Sequence, residues 1–251
     1  MKISIITATR NNCYTLERAI LSYINQKYDN KEYIVVEAPS TDCTGEILNK
    51  YASYIDRRIG DEGKGIYFAL NAGIKAVSGD IIGLLHADDF YADGDILSDV
   101  ADLFIKGADM VYGDVVYVLP DGKIWRYWHA GEFNKRKLRF GWMPPHTTLF
   151  VRKELFDRLG YYRTDMRIAA DFDMVLRFMK AADRVSYLPR IITIMSAGGE
   201  SNRSLGNIIL KMREDARAAR DNGYNGFMTV LFKNLRKIGQ LRSIAFVRKK
   251  S

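Results

Sequence analysis

The most informative part of the sequence spans residues 79–89, which are Gly79-Asp80-Ile81-Ile82-Gly83-Leu84-Leu85-His86-Ala87-Asp88-Asp89. Residues 81–85 carry no polar side chain, which predicts a short strand buried on both faces. Two adjacent carboxylates, Asp88 and Asp89, follow this strand. In open parallel sheets ligands bind beyond the carboxyl ends of the strands, so both aspartates are candidates for a binding site.

The residues before this segment alternate between short strands and helices. Residues 3–8 and 33–36 are mostly apolar runs of strand length. The segments that follow them, and also residues 65–77, place apolar residues at helical spacing. This rhythm is typical of a parallel sheet with crossover helices. The sequence therefore predicts an α/β fold whose central sheet is mostly parallel.

The second half of the chain departs from this rhythm. Residues 110–119 and 123–128 flank Pro120-Asp121-Gly122, which predicts a β-hairpin. A helix is predicted over residues 171–182 and a strand over 191–195. Residues 198–201 are expected to form a loop, either a plain connection or a lid over the site.

Composition and cysteine content exclude several classes of protein. The chain has 251 residues, of which 47% are hydrophobic and 27% charged, which excludes a disordered or fibrous protein. Its two cysteines, Cys13 and Cys43, are too few for a disulfide scaffold, so we expect a reducing compartment. Neither a secretory signal nor a membrane-spanning segment is evident, and the expected location is cytoplasmic.

The positive charge of the chain is concentrated near its end. Lys and Arg number 38 against 30 Asp and Glu, a formal net charge of +8, and seven of the basic residues fall within residues 225–251, which contain no acidic residue. Apolar residues recur there every three or four positions. Two interpretations fit: a basic amphipathic helix on an anionic membrane surface, on the cytoplasmic face, or a helix packed on the preceding domain.

The two carboxylates at the end of the predicted strand suit a hard divalent cation. Mg²⁺ and Mn²⁺ prefer oxygen ligands and leave coordination positions open for phosphate. A helix cap with a solvated neighbour is the alternative, because Asp is common where a strand leads into a helix.

Five segments in order resemble the inverting family 2 glycosyltransferases of GT-A fold, of the type that builds bacterial surface polysaccharides such as O-antigen. They are residues 4–11 (SIITATRN), 40–44 (STDCT), 64–74 (KGIYFALNAGI), 79–89 (GDIIGLLHADD) and 169–173 (AADFD). The resemblance implies a GT-A catalytic domain over residues 1–202, with a nucleotide-sugar half at 1–110 and an acceptor half at 111–202. Residues 203–251 would be a helical, basic, membrane-associating extension.

The resemblance also implies an activity and its partners. It is transfer of a hexose, preferably from a UDP-sugar, to a hydroxyl of a lipid-linked or polysaccharide acceptor, with Mn²⁺ or Mg²⁺ as cofactor. Alternatives are transfer to a polyprenyl phosphate and a catalytically silent nucleotide-sugar binder. A nucleic-acid partner is not expected, because the charge is confined to one tail. A homodimer remains open.

Roles for individual residues follow from the same resemblance. Asp89 and Asp88 correspond to the metal-binding motif, and Asp171 to the catalytic base, which could equally cap the following helix. Three positions depart from the family: Glu37 replaces an aspartate, Gly63 stands where an aspartate is frequent, and His86 stands where asparagine or aspartate is common. The implied substrate-binding residues are Thr7, Thr9, Arg10, Glu37, Asp42, Asp61, Lys64, Gly65, Asn71, His86, Asp88 and His146.

Overall fold

The computed structural model describes residues 1–196 and 205–242, except for the side chains of 205 and 237–242. The strands are β1 Ile3–Thr9, β2 Lys31–Glu37, β3 Arg57–Gly60, β4 Ile81–Leu84, β5 Phe90–Tyr91, β6 Met110–Val118, β7 Ile124–Trp128, β8 Phe150–Arg152 and β9 Val185–Ser196. The helices are α1 Leu16–Ile24, α2 Thr44–Lys50, α3 Ile66–Ala76, α4 Ile96–Ile105, α5 Lys153–Leu159, α6 Ala170–Ala181, α7 Leu205–Asp221 and α8 Gly226–Arg242. The predicted loop at 198–201 and the end of the tail lie outside this description.

One curled sheet organises the described chain. Its strand order is β3-β2-β1-β4-β8-β6-β9-β5, and β7 pairs with β6 at its side. Strands β1 to β4 pair in parallel, as do β6 and β9, whereas β8, β5 and β7 are antiparallel to their neighbours. The predicted α/β fold with a mostly parallel sheet is confirmed, and so is the hairpin.

The centre of the sheet is buried on both faces, as its apolar strands predict. All seven residues of β1 are buried. Ile5 packs with α1 and α4 on one face, and Ile6 packs with α3 and α6 on the other. Gly73 allows α3 to approach closely, because a Cβ atom there would lie 2.5 Å from Ile6 Cγ2.

Strand β3 was not predicted from the sequence. Its residues, Arg57-Arg58-Ile59-Gly60, are mostly exposed and polar, because β3 is the edge of the sheet. An edge strand of this kind is not buried on its two faces. It therefore lacks the apolar run that marks β1, β2 and β4.

The last two helices form an antiparallel hairpin that packs on α6, on β7 and on the turn at residues 135–140. Helix α8 comes close to α7 at Gly226, where a Cβ atom would lie 2.6 Å from the Ala216 carbonyl oxygen. The inner face of α8 buries Thr229, Val230 and Lys233. Residues 205–236 therefore pack directly against the preceding part of the chain.

The outer face of α8 carries apolar residues. Phe227, Leu231 and Leu235 are 74%, 42% and 51% exposed. The helix thus packs on the preceding part of the chain, as the second interpretation predicts, and leaves these three apolar side chains exposed. Association with a membrane stays a prediction. Within residues 1–196 and 205–242, no helix has the length and apolarity needed to cross a membrane.

Candidate active site

The loops after β1 and β2 are tied together at the carboxyl edge of the sheet. Asn11 adopts a positive φ of 52°, and its backbone amide donates to Ser40 Oγ at 3.0 Å. Its side-chain oxygen accepts from the Thr41 amide at 2.8 Å, and the Asn12 amide donates to Thr44 Oγ1 at 2.8 Å. These bonds hold the two loops as one rigid rim.

A disulfide completes the connection between these loops. Cys13 and Cys43 are bonded, with their Cα atoms 5.1 Å apart. Two cysteines are too few to predict a disulfide scaffold, so the sequence favours a reducing compartment. The structure instead joins both cysteines at the rim, because the pairing of β1 with β2 brings their two loops together.

Two of the predicted substrate-binding residues make hydrogen bonds within the fold. Thr7 is fully buried, and its hydroxyl lies 2.6 Å from the Leu85 carbonyl oxygen and 2.8 Å from Tyr33 Oη. Asp42 accepts from the Cys13 amide and from the amide and hydroxyl of Thr44. Both side chains thus hold the rim together, and their contact with substrate stays a prediction.

Asn71 also serves the fold. Its side-chain oxygen accepts from the Tyr162 amide at 2.9 Å, and its side-chain nitrogen donates to the Tyr162 carbonyl at 2.8 Å. The amide group thereby fixes the segment after α5 against α3. The predicted contact of Asn71 with substrate stays a prediction.

The remaining rim residues surround the loop after β1. Thr9 is buried and its hydroxyl bonds to Asn12, whereas Arg10 is exposed. Glu37, at the end of β2, forms an ion pair with Arg58 at 2.7 Å. Asp61 accepts from the Gly63 amide at 2.9 Å.

The start of α3 lies beside this rim. Gly65 begins the helix with a φ of 133°, which favours glycine. Lys64 pairs with Glu62 in solvent. Arg10 and Lys64 are the cationic side chains that the rim presents to solvent.

Asp89 is the most unusual carboxylate in the site. It is 1% exposed, and neither of its side-chain oxygens has a hydrogen-bond partner in the described part of the chain. Burial, and next the charge of Asp88, raises its pKa well above the usual value, which the Ser196 amide and Arg18 only partly offset. A buried carboxylate without a partner is costly unless a cation accompanies it.

The donor set at this turn fits a divalent metal. Among the described residues no three His, Cys, Asp or Glu side chains cluster as ligands, so the chain itself offers Asp89 and its neighbour Asp88. Mg²⁺ is held in proteins by one or two carboxylates, with water and phosphate oxygens completing the shell. The orphaned oxygens of Asp89 are the observation that supports this fit.

A chain of three side chains leads away from this turn. His86, two residues before Asp88, has its Nε2 3.3 Å from Nε2 of His146. His146 Nδ1 lies 3.5 Å from Asp171 Oδ2. The structure therefore brings together His86, His146 and Asp171, which are far apart in the sequence.

The protonation states in this chain follow from burial and neighbouring charge. Burial lowers the pKa of His146 to about 4 and also lowers that of His86, although nearby carboxylates oppose the shift. Burial would raise the pKa of Asp171, but positive groups, chiefly His146 and then Lys211 and Lys233, hold it below the usual value. Asp171 is an ionised carboxylate beside a neutral imidazole.

Helix α7 holds the segment that leads to Asp171. The sequence did not predict this contact. Glu214 of α7 accepts from the amides of Arg167, Ile168 and Ala169 at 2.8, 2.8 and 2.9 Å. These residues lead directly into α6, whose first turn carries Asp171. No local pattern signals the contact, because the partners are more than 40 residues apart.

An ion pair lies within α6. Asp173 is 1% exposed and accepts from Arg177 Nε at 2.8 Å, four residues later. Asp173 is therefore structural, as the helical spacing indicates.

Comparison with known proteins shows which family the chain resembles in sequence. The sequence profile described as Glycosyl transferase family 2 matches residues 4–162. A "PGL/p-HBAD biosynthesis glycosyltransferase" of Mycobacterium tuberculosis is 31% identical over 216 residues, which cover 83% of this chain and 82% of that protein. The uncharacterized glycosyltransferase YwdF of Bacillus subtilis is 29% identical over 219 residues, covering 82% and 79%.

Two solved structures have the same fold. TarS 1-349 of S. aureus, in complex with UDP-GlcNAc, has a TM-score of 0.68 at 19% identity over 93% of this chain and 70% of that chain. The mannosyltransferase PcManGT of Pyrobaculum calidifontis, in complex with GDP-Man and Mn²⁺, has a TM-score of 0.66 at 16% identity over 97% and 73%. With the profile and the mycobacterial relative, the conclusion is that this chain is a glycosyltransferase and belongs to glycosyl transferase family 2.

Proposed function

We propose that the protein transfers a hexose from a nucleotide sugar, preferably a UDP-sugar, to a hydroxyl of a lipid-linked or polysaccharide acceptor, with inversion at the anomeric carbon. The observation that carries this proposal is that the two carboxylates Asp89 and Asp171 differ in their surroundings. The side chains of His86 and His146 lie between the turn of Asp89 and Asp171. Asp89 is buried without a partner, whereas Asp171 is ionised beside a neutral histidine. Asp89 therefore suits the binding of a cation, and Asp171 suits the acceptance of a proton.

Asp171 acts as the general base in this reaction. The acceptor hydroxyl loses its proton to the Asp171 carboxylate while its oxygen attacks the anomeric carbon. The nucleotide diphosphate leaves from the opposite face of the sugar, so a single displacement inverts the configuration. No covalent intermediate is needed.

His146 orients the base. Its Nδ1 lies toward Asp171, which fixes the proton on Nδ1 and leaves Nε2 as the acceptor for a proton from His86 Nε2. Asp88 and Asp89 would hold Mn²⁺ or Mg²⁺, which offsets the charge that develops on the departing diphosphate. The neighbour with GDP-Man and Mn²⁺ supports a divalent cofactor, and the one with UDP-GlcNAc supports a uridine donor.

The test is an activity screen with Mn²⁺ and a panel of nucleotide sugars, followed by Asp89→Ala and Asp171→Asn. Both variants should lose transfer, and Asp89→Ala should also lose the stabilisation that Mn²⁺ with nucleotide gives the wild type. Unchanged transfer by either variant would remove its proposed role. A dead Asp89→Ala with a fully active Asp171→Asn would favour a polyprenyl phosphate acceptor, which is already ionised and needs no base.

The outer face of α8 supports peripheral association with an anionic membrane, on the cytoplasmic side, where a lipid-linked acceptor would be met. Phe227, Leu231 and Leu235 form an exposed apolar stripe, and basic residues are frequent through 225–251. The mycobacterial relative is named for PGL/p-HBAD biosynthesis, which supports a role in glycan or glycolipid assembly.

Point substitutions test this association better than deletion, because α8 also packs beside the active site. Phe227→Ser with Leu231→Ser should lower retention on anionic vesicles and leave donor hydrolysis unchanged. Leu21, which is 40% exposed on α1, provides the control substitution Leu21→Ser. Equal vesicle retention of the double variant and the wild type would contradict the proposal.

A further inference from the structure

The guanidinium group of Arg18, on α1, contacts the residues on both sides of Asp89. Its Nη2 lies 3.4 Å from the Asp88 carbonyl oxygen, and its Cζ lies 4.1 Å from the ring centre of Phe90. Asp89 stands between these two residues in the sequence. One side chain of α1 therefore holds the backbone before and the ring after the buried carboxylate.

Ser196, the last residue of β9, links Arg18 to the same carbonyl group. Its hydroxyl oxygen accepts from Arg18 Nη2 at 3.0 Å, and the hydroxyl donates to the Asp88 carbonyl oxygen at 2.8 Å. Two residues earlier, Ile194 of β9 pairs with Phe90 of β5. The end of β9 is therefore fixed to the turn at Asp88 and Asp89 by strand pairing and by a side chain.

These contacts hold both ends of the peptide group between Asp88 and Asp89. Its carbonyl oxygen accepts from Ser196 and Arg18, and its N–H, that of Asp89, donates to the His86 carbonyl oxygen at 3.0 Å. Because a peptide group is planar, fixing its oxygen and its N–H fixes its orientation. That orientation sets the direction in which the Asp89 side chain leaves the backbone.

Helix α1 is a rigid base for the guanidinium group. Leu16, Ala19 and Ile20 of this helix are buried in the core, whereas Arg18 is on its exposed side. The planar guanidinium suits contact with the ring of Phe90, which restricts the long side chain without hiding its donors.

We propose that Arg18 is a positioning residue for Asp89: through Ser196 and the Asp88 carbonyl it holds the Asp89 carboxylate in the orientation that binds a divalent cation. This inference rests on the proposed function, which it deepens by naming the groups that orient the metal ligand. The role requires no contact between Arg18 and the donor.

The first experiment needs neither metal nor donor. Hydrogen exchange measured by NMR in EDTA should show the Asp89 amide exchanging about tenfold faster or more in Arg18→Met and in Ser196→Ala than in the wild type. Methionine keeps an apolar contact with Phe90 but has no hydrogen-bond donor. Arg220→Met, at an exposed position on α7, is the control and should exchange as the wild type does. Equal exchange in all four proteins would overturn the proposal.

The second experiment separates orientation from charge, with Mn²⁺ alone as the probe. If the charge of Arg18 were its only influence, Arg18→Met would bind Mn²⁺ more tightly, because a repulsion is removed. An orienting role predicts the opposite sign: about tenfold weaker binding in Arg18→Met, and also in Ser196→Ala, which changes no charge. Arg18→Lys, which keeps the charge and a donor, should recover part of the affinity. The electron paramagnetic resonance signal of free Mn²⁺ measures all of these, and unchanged or tighter binding in Arg18→Met would overturn the proposal.

The third experiment asks whether the two residues act through one contact. Arg18→Met and Ser196→Ala should each raise the Mn²⁺ concentration needed for half-maximal transfer and leave kcat at saturating Mn²⁺ close to that of the wild type. The double variant should lose no more than the weaker single variant, because both substitutions break the same link. Losses that add would contradict a shared role.

Failure of this inference differs from failure of the proposed function. A wild type that neither binds Mn²⁺ nor transfers a sugar would refute the proposed function, whatever the exchange of the Asp89 amide. A wild type that does both, with variants that match it, would refute only the role of Arg18. Melting temperatures check that the variants fold, and Ser196→Ala carries the test if Arg18→Met does not fold.

Discussion

His146 Nδ1 lies 3.5 Å from Asp171 Oδ2, and this contact joins the loop before β8 to the first turn of α6. The imidazole is neutral near pH 7 because burial lowers the pKa of His146 to about 4. A neutral ring can donate a hydrogen bond from Nδ1–H to the carboxylate, and the carboxylate stays ionised. The base keeps its charge and gains a fixed orientation.

Replacing His146 with alanine should lower kcat by about ten- to hundredfold, because a misplaced base loses much of its effectiveness. The KM for the donor should change little, since the donor lies at the Asp88-Asp89 end. His146→Asn should recover part of kcat, because its amide nitrogen can take the place of Nδ1. Steady-state kinetics measure all three, with His129→Asn, at a histidine whose side chain is 60% exposed, as control. A rise in donor KM with unchanged kcat would contradict an orienting role.

Replacing Glu214 with alanine should lower both stability and activity. The three amides of residues 167–169 would lose their acceptor, at a cost of about 1–3 kcal/mol in the free energy of unfolding. Activity should fall further than stability explains, because these residues position Asp171. Urea unfolding and kinetics are the measurements, with Glu46→Ala, at an exposed site on α2, as control. Full activity at a temperature where the variant is folded would argue against positioning.

Glu32 should make stability depend on acid pH. Although burial opposes ionisation, hydrogen bonds from Ser4, Ser78 and Lys2 lower the pKa of Glu32 to about 2. Because the pKa of Glu32 is lower in the folded than in the unfolded state, its ionised form stabilises the fold. This contribution is fully present above the pKa of the unfolded state, about 4.3. That contribution is lost as the pH falls from there toward 2.

The measurement compares Glu32→Gln with the wild type by urea unfolding at pH 7 and pH 3. The variant should be less stable by about 1–3 kcal/mol at pH 7, and the difference should shrink at pH 3. Glu62→Gln, with a side chain 76% exposed, should show a smaller effect at both. A difference that is equal at the two pH values would mean that Glu32 is not ionised in its network.

Reduction of the Cys13–Cys43 disulfide should destabilise the protein. The bond closes a loop with a sequence separation of 30, for which the loss of chain entropy in the unfolded state corresponds to about 3–4 kcal/mol. Urea unfolding with and without dithiothreitol should show that difference in the wild type. The Cys13→Ser, Cys43→Ser variant should unfold like the reduced protein and ignore the reductant. A reductant effect on that variant would locate the change elsewhere.

The sequence by itself determined the strand–helix alternation of the first half and the hairpin, and its resemblance to a known family implied the candidate roles of Asp89 and Asp171. The alternation depends on local patterns, because a buried central strand needs a continuous apolar run and a helix face repeats every three or four residues. These patterns could not find β3, whose exposed residues carry no such pattern.

The tertiary structure alone decided which polar side chains are engaged by other parts of the fold. Thr7, Asp42 and Asn71 lie in segments that resemble a binding site, yet their polar groups are used by Tyr33, Thr44 and Tyr162. Conversely, His146 meets Asp171, and Lys233 reaches Phe172, only after β8, α6 and α8 have packed together. Spacing along the chain carries no information about such contacts, because they are created by packing between elements that are distant in sequence.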